Sequence, residues 1–103
     1  MGFGVEVVLF LVISNPAPTR PSEAREARRN FWPWVDDKLT RGVARAFYPR
    51  TGRGAVAILD VESHEELHRL LNEWADAVPA EFSIYPLMEQ DSIKAFLNEE
   101  PQS

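Results

Sequence analysis

The stretch Ala55-Val56-Ala57-Ile58-Leu59-Asp60-Val61-Glu62-Ser63-His64-Glu65-Glu66-Leu67-His68-Arg69-Leu70-Leu71 decides the fold. Its first part is apolar at alternate positions on both sides: Ala55, Ala57 and Leu59 on one, Val56 and Ile58 on the other. A strand with no polar face is one covered from both sides. Ser63-His64-Glu65-Glu66 then matches a capping box, in which the Ser and Glu side chains each satisfy a free backbone N–H at a helix start. Leu67, Leu70, Leu71, Trp74 and Val78 follow at i, i+3, i+4, i+7 and i+11, an amphipathic stripe that Pro79 ends. The stretch therefore predicts a strand over Gly54–Val61 running into a helix that buries one leucine-rich face.

Working toward the N-terminus, Val43–Arg50 reads as a partner strand, joined through the Gly-containing turn Thr51-Gly52-Arg53-Gly54. Before it lies a helix over about Pro21–Arg41, with Pro21 in the first turn, Glu23 and Glu26 near the positive dipole end, and Gly42 as its stop. Ala24, Ala27, Phe31, Val35 and Leu39 form its core stripe. Pro33 inside that helix predicts a kink near Asn30–Pro33, or a short helix followed by a second. The first strand is Val5–Ser14, stopped by Asn15-Pro16 and Pro18. It too is apolar on both faces, with Leu9, Leu11 and Ile13 opposite Val8, Phe10 and Val12.

Toward the C-terminus, a fourth strand over Glu81–Leu87 precedes residues 88–103, read as a short helix capped by Asp91 and an acidic tail. The order strand, helix, strand, strand, helix, strand is the ferredoxin-like βαββαβ arrangement: an α+β fold with helices on one face of a four-stranded antiparallel sheet. Leaving several Val, Leu, Ile or Phe side chains on the other face in water would forgo about 1.5–3 kcal/mol each. A second copy packed sheet against sheet resolves this, so the pattern predicts a homodimer through the open sheet face.

A chain of 103 residues holds one core, so residues 1–103 are read as a single domain. With 45% apolar residues it is not disordered, and with no Cys it has no disulfide, thiolate metal site or cysteine nucleophile. The longest apolar run, Val7–Ile13, is too short to span a bilayer and is not flanked like a secretory signal, so a cytoplasmic protein with no membrane partner is expected. Residues 20–53 carry eight Arg and Lys38 against four acids, while the rest carries two basic residues against twelve acids. No nucleic-acid motif accompanies the basic segment, and the acidic remainder opposes such a partner, so a solvated helix face or a local anionic ligand is the reading.

With this architecture, Ala55–Leu71 resembles the third strand and second helix of muconolactone Δ-isomerases. Leu9-Phe10-Leu11-Val12 resembles that family's first strand, and Ser83-Ile84-Tyr85-Pro86-Leu87 is similar to its last. The resemblance implies a dimeric α+β barrel, with larger ring-like assemblies also known in the family. It implies enzymes that shift a double bond in a small lactone acid by proton transfer, without metal or organic cofactor. Two segments depart from the pattern. Ala27-Arg28-Arg29-Asn30-Phe31 lacks the family's Glu in the first helix, and Arg45-Ala46-Phe47-Tyr48-Pro49-Arg50 lacks its His-Leu-Trp-Arg run. The segments that match build the fold, and those that differ would perform the chemistry. The implied substrate is another small organic acid or carbonyl compound, of the kind met in specialised metabolism.

Candidate site residues follow from a pocket between sheet and helices, mostly apolar with a few aimed polar groups. Arg28, beside the helix stripe, suits a substrate carboxylate, with snorkelling to solvent as the alternative. Tyr48 can donate a proton or orient a carbonyl, or else be an interface residue with a wet hydroxyl. Arg45 and Tyr48 fall on opposite faces of a regular strand. His68 is a candidate general base, against a packing role in the helix. Arg28, Tyr48 and His68 are thus the candidate catalytic set, and Trp32, Trp34 and Tyr85 join Arg28 and Tyr48 in contacting substrate. Phe31, Phe47 and Trp74 are read as core. Glu26 and Asp60 are read as a solvated acid and a structural one. His64 and His68 have a metal-compatible spacing but no third ligand, so neither metal nor cofactor is expected. The alternatives to an isomerase-like enzyme are a cofactor-independent oxygenase or polyketide cyclase, and a non-catalytic binding or assembly module.

Overall fold

The computed structural model describes residues 8–99. Val5–Val7 of the expected first strand and the end of the acidic tail lie outside them. Seven elements follow in order: β1 (Val8–Pro16), α1 (Pro21–Thr40), β2 (Ala44–Pro49), β3 (Ala55–Val61), α2 (His64–Ala77), β4 (Ala80–Leu87) and α3 (Gln90–Leu97). The four strands form one sheet in the order β2-β3-β1-β4, and every neighbouring pair is antiparallel. This is the ferredoxin-like βαββαβ topology.

Registration sorts the side chains. Phe10 sits opposite Leu59 and Pro86, Val12 opposite Ala57 and Ile84, and Ser14 opposite Ala55 and Phe82. These rows face the helices, where Phe10, Val12, Ala55, Ala57, Leu59 and Val61 are buried with Phe31 and Val35 of α1 and Leu67, Leu70, Leu71 and Trp74 of α2. The alternate rows carry Leu11 beside Ile58 and Tyr85, and Ile13 beside Val56 and Ser83. Among the described residues no helix covers that second face: Leu11, Ile13, Val56 and Ile58 are only half-buried.

The cap of α2 forms as the sequence predicts, with one shift. Glu66 N–H donates to Ser63 Oγ at 3.1 Å, but the return bond comes from Glu62 N–H to Glu66 Oε2 at 3.0 Å, one residue before the cap. Two expectations are corrected in α1. Of the kink or split expected at Pro33, the split is excluded, because the helix runs unbroken over Pro21–Thr40. Pro33 is exposed, so the carbonyl that it leaves unpaired on the preceding turn is open to water. The predicted stripe narrows to Phe31 and Val35, with Ala24 half-buried and Ala27 and Leu39 exposed. Asp91 is not the cap of α3. Glu89 holds that position without a side-chain bond, and Asp91 lies in the first turn.

β2 carries an irregularity. Ala44 pairs with Leu59 and Ala46 with Ile58, so Arg45 is an extra residue in the ladder. Its guanidinium meets Asp60 at 2.7 Å and Glu89 at 2.6 Å. Asp60 foremost, then Glu89, holds the Arg45 pKa above its ordinary value. Asp60 shares the row of Leu9 and Leu87 on the open face, and Tyr48 sits opposite Val56 on that same face. The bulge therefore brings Arg45 and Tyr48 to one side, where a regular strand would part them. Among the described residues, no helix is long and apolar enough to cross a membrane.

Candidate functional site

One cavity opens between α1 and the helix-facing side of the sheet, at the end where β1 finishes and β3 begins. Its volume is about 70 Å³, and its walls include Ser14, Arg28, Phe31, Trp32, Phe47, Arg53 and Trp74. A volume of this order holds a few waters, or the head of a small organic molecule whose remainder lies in the mouth.

The aromatic wall is continuous. Phe31 stands 5.7 Å from Trp74 and 6.1 Å from Phe47, ring centre to ring centre, and Trp32 meets Phe47 edge-on at 5.6 Å. Trp74 is fully buried, whereas Trp32 remains 42% exposed and forms the lip. Arg28 and Trp32 lie four apart on α1, which stacks them on one side of the helix. Both also line an adjoining surface groove with Pro21, Arg25 and Arg29, so the approach to the cavity is cationic.

The floor is polar at one place. Ser14 is buried, and its hydroxyl accepts from Ala55 N–H at 2.8 Å and lies 3.4 Å from the Ala55 carbonyl. Ser14 O accepts from Arg50 Nη1 at 3.1 Å, and the same nitrogen donates to Asn15 Oδ1 at 2.9 Å. Arg53 reaches back across the hairpin to the loop before α1. Its Nη1 donates to Thr19 O at 2.9 Å and Nη2 to Thr19 Oγ1 at 3.2 Å, while Nε is buried without a partner. Among the described residues, neither Arg28 nor Arg53 forms an ion pair with an acid, unlike Lys38, Arg41 and Arg45.

The residues singled out from the sequence divide on this geometry. Arg28 and Trp32 reach the cavity together. Trp34 does not line it: the indole N–H donates to Glu73 Oε1 at 2.7 Å, and Lys38 Nζ lies 5.4 Å from the ring centre. Tyr48 and Tyr85 project from the opposite side of the sheet, 69% and 51% exposed. Phe47 takes the helix side opposite Ala57, and this alternation forces Tyr48 outward. His68 lies on the exposed side of α2 in a shallow groove with His64, Glu65, Arg69 and Asn72, and Asn72 Nδ2 donates to the His68 carbonyl at 2.8 Å. The structure therefore does not bring Arg28, Tyr48 and His68 together. Among the described residues, no three His, Asp or Glu side chains are grouped closely enough to hold a metal ion. Arg53 and Ser14 are wall residues that the sequence reading passed over. Arg53 sits in a turn motif, and the contact that aims it spans 34 positions to Thr19.

Residues 8–100 match the model of a family described as a domain of unknown function, DUF3303. No curated protein matches the chain.

Proposed function

The chain belongs to the DUF3303 family of domains of unknown function, and on that premise we propose that it binds a small organic acid, without a cofactor, in the cavity between α1 and the sheet. The observation that carries this reading is the pair of guanidinium groups, Arg28 and Arg53, on the wall of a largely apolar, aromatic-rich cavity and, among the described residues, without a carboxylate partner. Planar guanidinium groups hold a carboxylate with directed, charge-assisted hydrogen bonds. Phe31, Trp32, Phe47 and Trp74 suit the apolar body of such a molecule.

The chain assembles as a homodimer through its open sheet face, in keeping with its resemblance to dimeric α+β barrels. The half-buried Leu11, Ile13, Val56 and Ile58, flanked by the exposed rings of Tyr48 and Tyr85, support this. The isomerase-like activity is the second reading. Moving a double bond in a carbonyl compound takes a proton from the adjacent carbon and passes its electron pair to oxygen. The proton then returns at a different carbon. Arginines in an aromatic enclosure favour it, because they stabilise the enolate oxygen more strongly than water would. The cavity wall offers no carboxylate, imidazole or phenol to carry the proton. Recognition of the acid is thus the better-supported function.

Calorimetric titration with a panel of small aliphatic, aromatic and lactone carboxylates tests it. Binding of at least one class is expected, weakened tenfold or more by Arg28→Gln and by Arg53→Gln. If no carboxylate binds, or both variants bind as tightly as the parent, the reading is wrong. Incubating a bound acid in D2O separates the two readings, since only an isomerase-like site places deuterium on the carbon to which the proton returns, in proportion to protein added.

A further inference from the structure

α3 is an eight-residue helix, Gln90–Leu97, and among the described residues no other element of its own chain lies against it. Isolated helices shorter than about 12–15 residues are marginal in water. This helix also presents an apolar side: Ile93, Phe96 and Leu97 are exposed, the last two by 60% and 71%, and Met88 just before it is exposed as well. Two apolar surfaces of this chain thus lack cover, the open sheet face and α3.

They adjoin through the short turn between β4 and α3. The chain leaves β4 at Leu87, in the row of Leu9 and Asp60 on the open face. Two residues later, Glu89 is tied to Arg45, which is itself bonded to Asp60. That clamp anchors the base of α3 at the rim of the open face, on the side where a second copy would approach. Leu9, in the spanned row, is the one apolar residue of that face which is already buried.

The dimensions call for more than the sheet. Four strands about 4.8 Å apart and about seven residues long at about 3.4 Å each give roughly 460 Å² in plan, a modest base for the roughly 800 Å² of accessible surface per partner in a standard stable interface. A buried Phe alone contributes about 150–250 Å². We infer that α3 is an intermolecular arm: in the dimer, the Ile93, Phe96 and Leu97 side of one copy lies against the second copy and extends the sheet-on-sheet contact at its rim. The inference rests on the dimer proposed above and adds where its remaining area comes from.

Sedimentation equilibrium on four proteins tests both: the full chain, a chain ending at Glu89 that keeps the Arg45 clamp, Phe96→Ser/Leu97→Ser, and Val56→Asp on the sheet face. The full chain is expected to dimerise, the two α3 variants to dissociate at least tenfold more readily, and Val56→Asp to be monomeric. A full chain and Val56→Asp behaving this way, with α3 variants as tightly dimeric as the parent, overturns the arm and leaves the dimer standing. A full chain that stays monomeric at high concentration overturns both. The absence of Cys permits a direct readout. A spin label on Lys94→Cys, mixed with unlabelled ¹⁵N subunits, is expected to broaden resonances of the ¹⁵N copy, and a ¹⁵N spectrum without broadening in a sample that is dimeric by sedimentation overturns the inference.

Discussion

Gly54→Ala tests how closely the hairpin that carries Arg53 packs on the end of β1. Gly54 has φ +96°, and a Cβ placed there would stand 2.4 Å from the backbone oxygen of Ser14 and 3.2 Å from Pro16 Cδ. Gly52, two residues earlier, has nearly the same φ, +95°, with nothing within 4 Å of such a Cβ. The two glycines therefore share the backbone penalty and differ in the contact. Forcing an L residue into the left-handed region costs about 1–2 kcal/mol, which is the whole expectation for Gly52→Ala. At Gly54 the obstacle is backbone, so either β1 or the hairpin must move, and overpacking of this kind adds about 1–3 kcal/mol. The movement also disturbs the Ser14 carbonyl that Arg50 holds at 3.1 Å. Gly54→Ala should thus lose about 2–5 kcal/mol against about 1–2 for Gly52→Ala. Urea denaturation at one fixed protein concentration measures both, since the proposed dimer would make apparent stability depend on concentration. If the two variants lose the same amount, the close approach of hairpin to β1 is refuted, and with it the placement of Arg53 beside the cavity.

Two other perturbations have separate expectations. Ser14→Ala removes the buried acceptor of the Ala55 N–H and should cost about 1–3 kcal/mol, read by urea denaturation, with faster amide exchange at Ala55 and little change elsewhere in β3. Asp37 has its carboxyl pKa held below the ordinary value, by the hydrogen bond from Lys38 foremost and against some desolvation, with Arg41 assisting. A depressed acid stabilises the fold above the ordinary pKa, near 4, and loses that contribution as pH falls through its own lower value. Melting temperatures should favour the parent over Asp37→Asn at pH 6 and converge toward pH 2.5, a small effect because the group is exposed, and one that salt diminishes.

What could be read from the sequence is what local periodicity encodes. The Ser63 cap and the Leu67–Trp74 stripe carry their signal within a few residues and fold as that signal says, and β1 and β3 form as strands with one of their two apolar faces buried under the helices. Arg28 and Trp32 were each legible as candidates, Arg28 from its place beside the helix stripe and Trp32 from its place next to Pro33. The rest depends on contacts that no window of sequence contains. Pro33 signals a break, yet its place on the exposed side lets the helix continue. One extra residue at Arg45 leaves no mark on composition, yet it reverses which side the guanidinium takes. Arg53 reads as turn chemistry until Thr19 aims it.

The proposed site and the proposed interface meet on β1. Ser14 and Val12 face the cavity side, while Ile13 and Leu11 face the proposed partner, so consecutive residues of one strand serve opposite purposes. A slip of one residue would move Ser14 to the dimer side and Ile13 under the aromatic wall, exchanging both sets at once. Register must therefore be held from both ends. At one end, Arg50 and the Ser14 hydroxyl tie β1 to the hairpin and to β3. At the other, Leu9 sits in the row that Arg45, Asp60 and Glu89 close. Both ties use arginines of the basic segment, so the charge asymmetry of the sequence has a structural use as well as a proposed ligand. Weakening the Arg45 end leaves the cavity's own bonds intact, and weakening the Arg50 end leaves the base of α3 clamped. The two ends of β1 thus allow ligand binding and assembly to be perturbed separately, although one strand carries both.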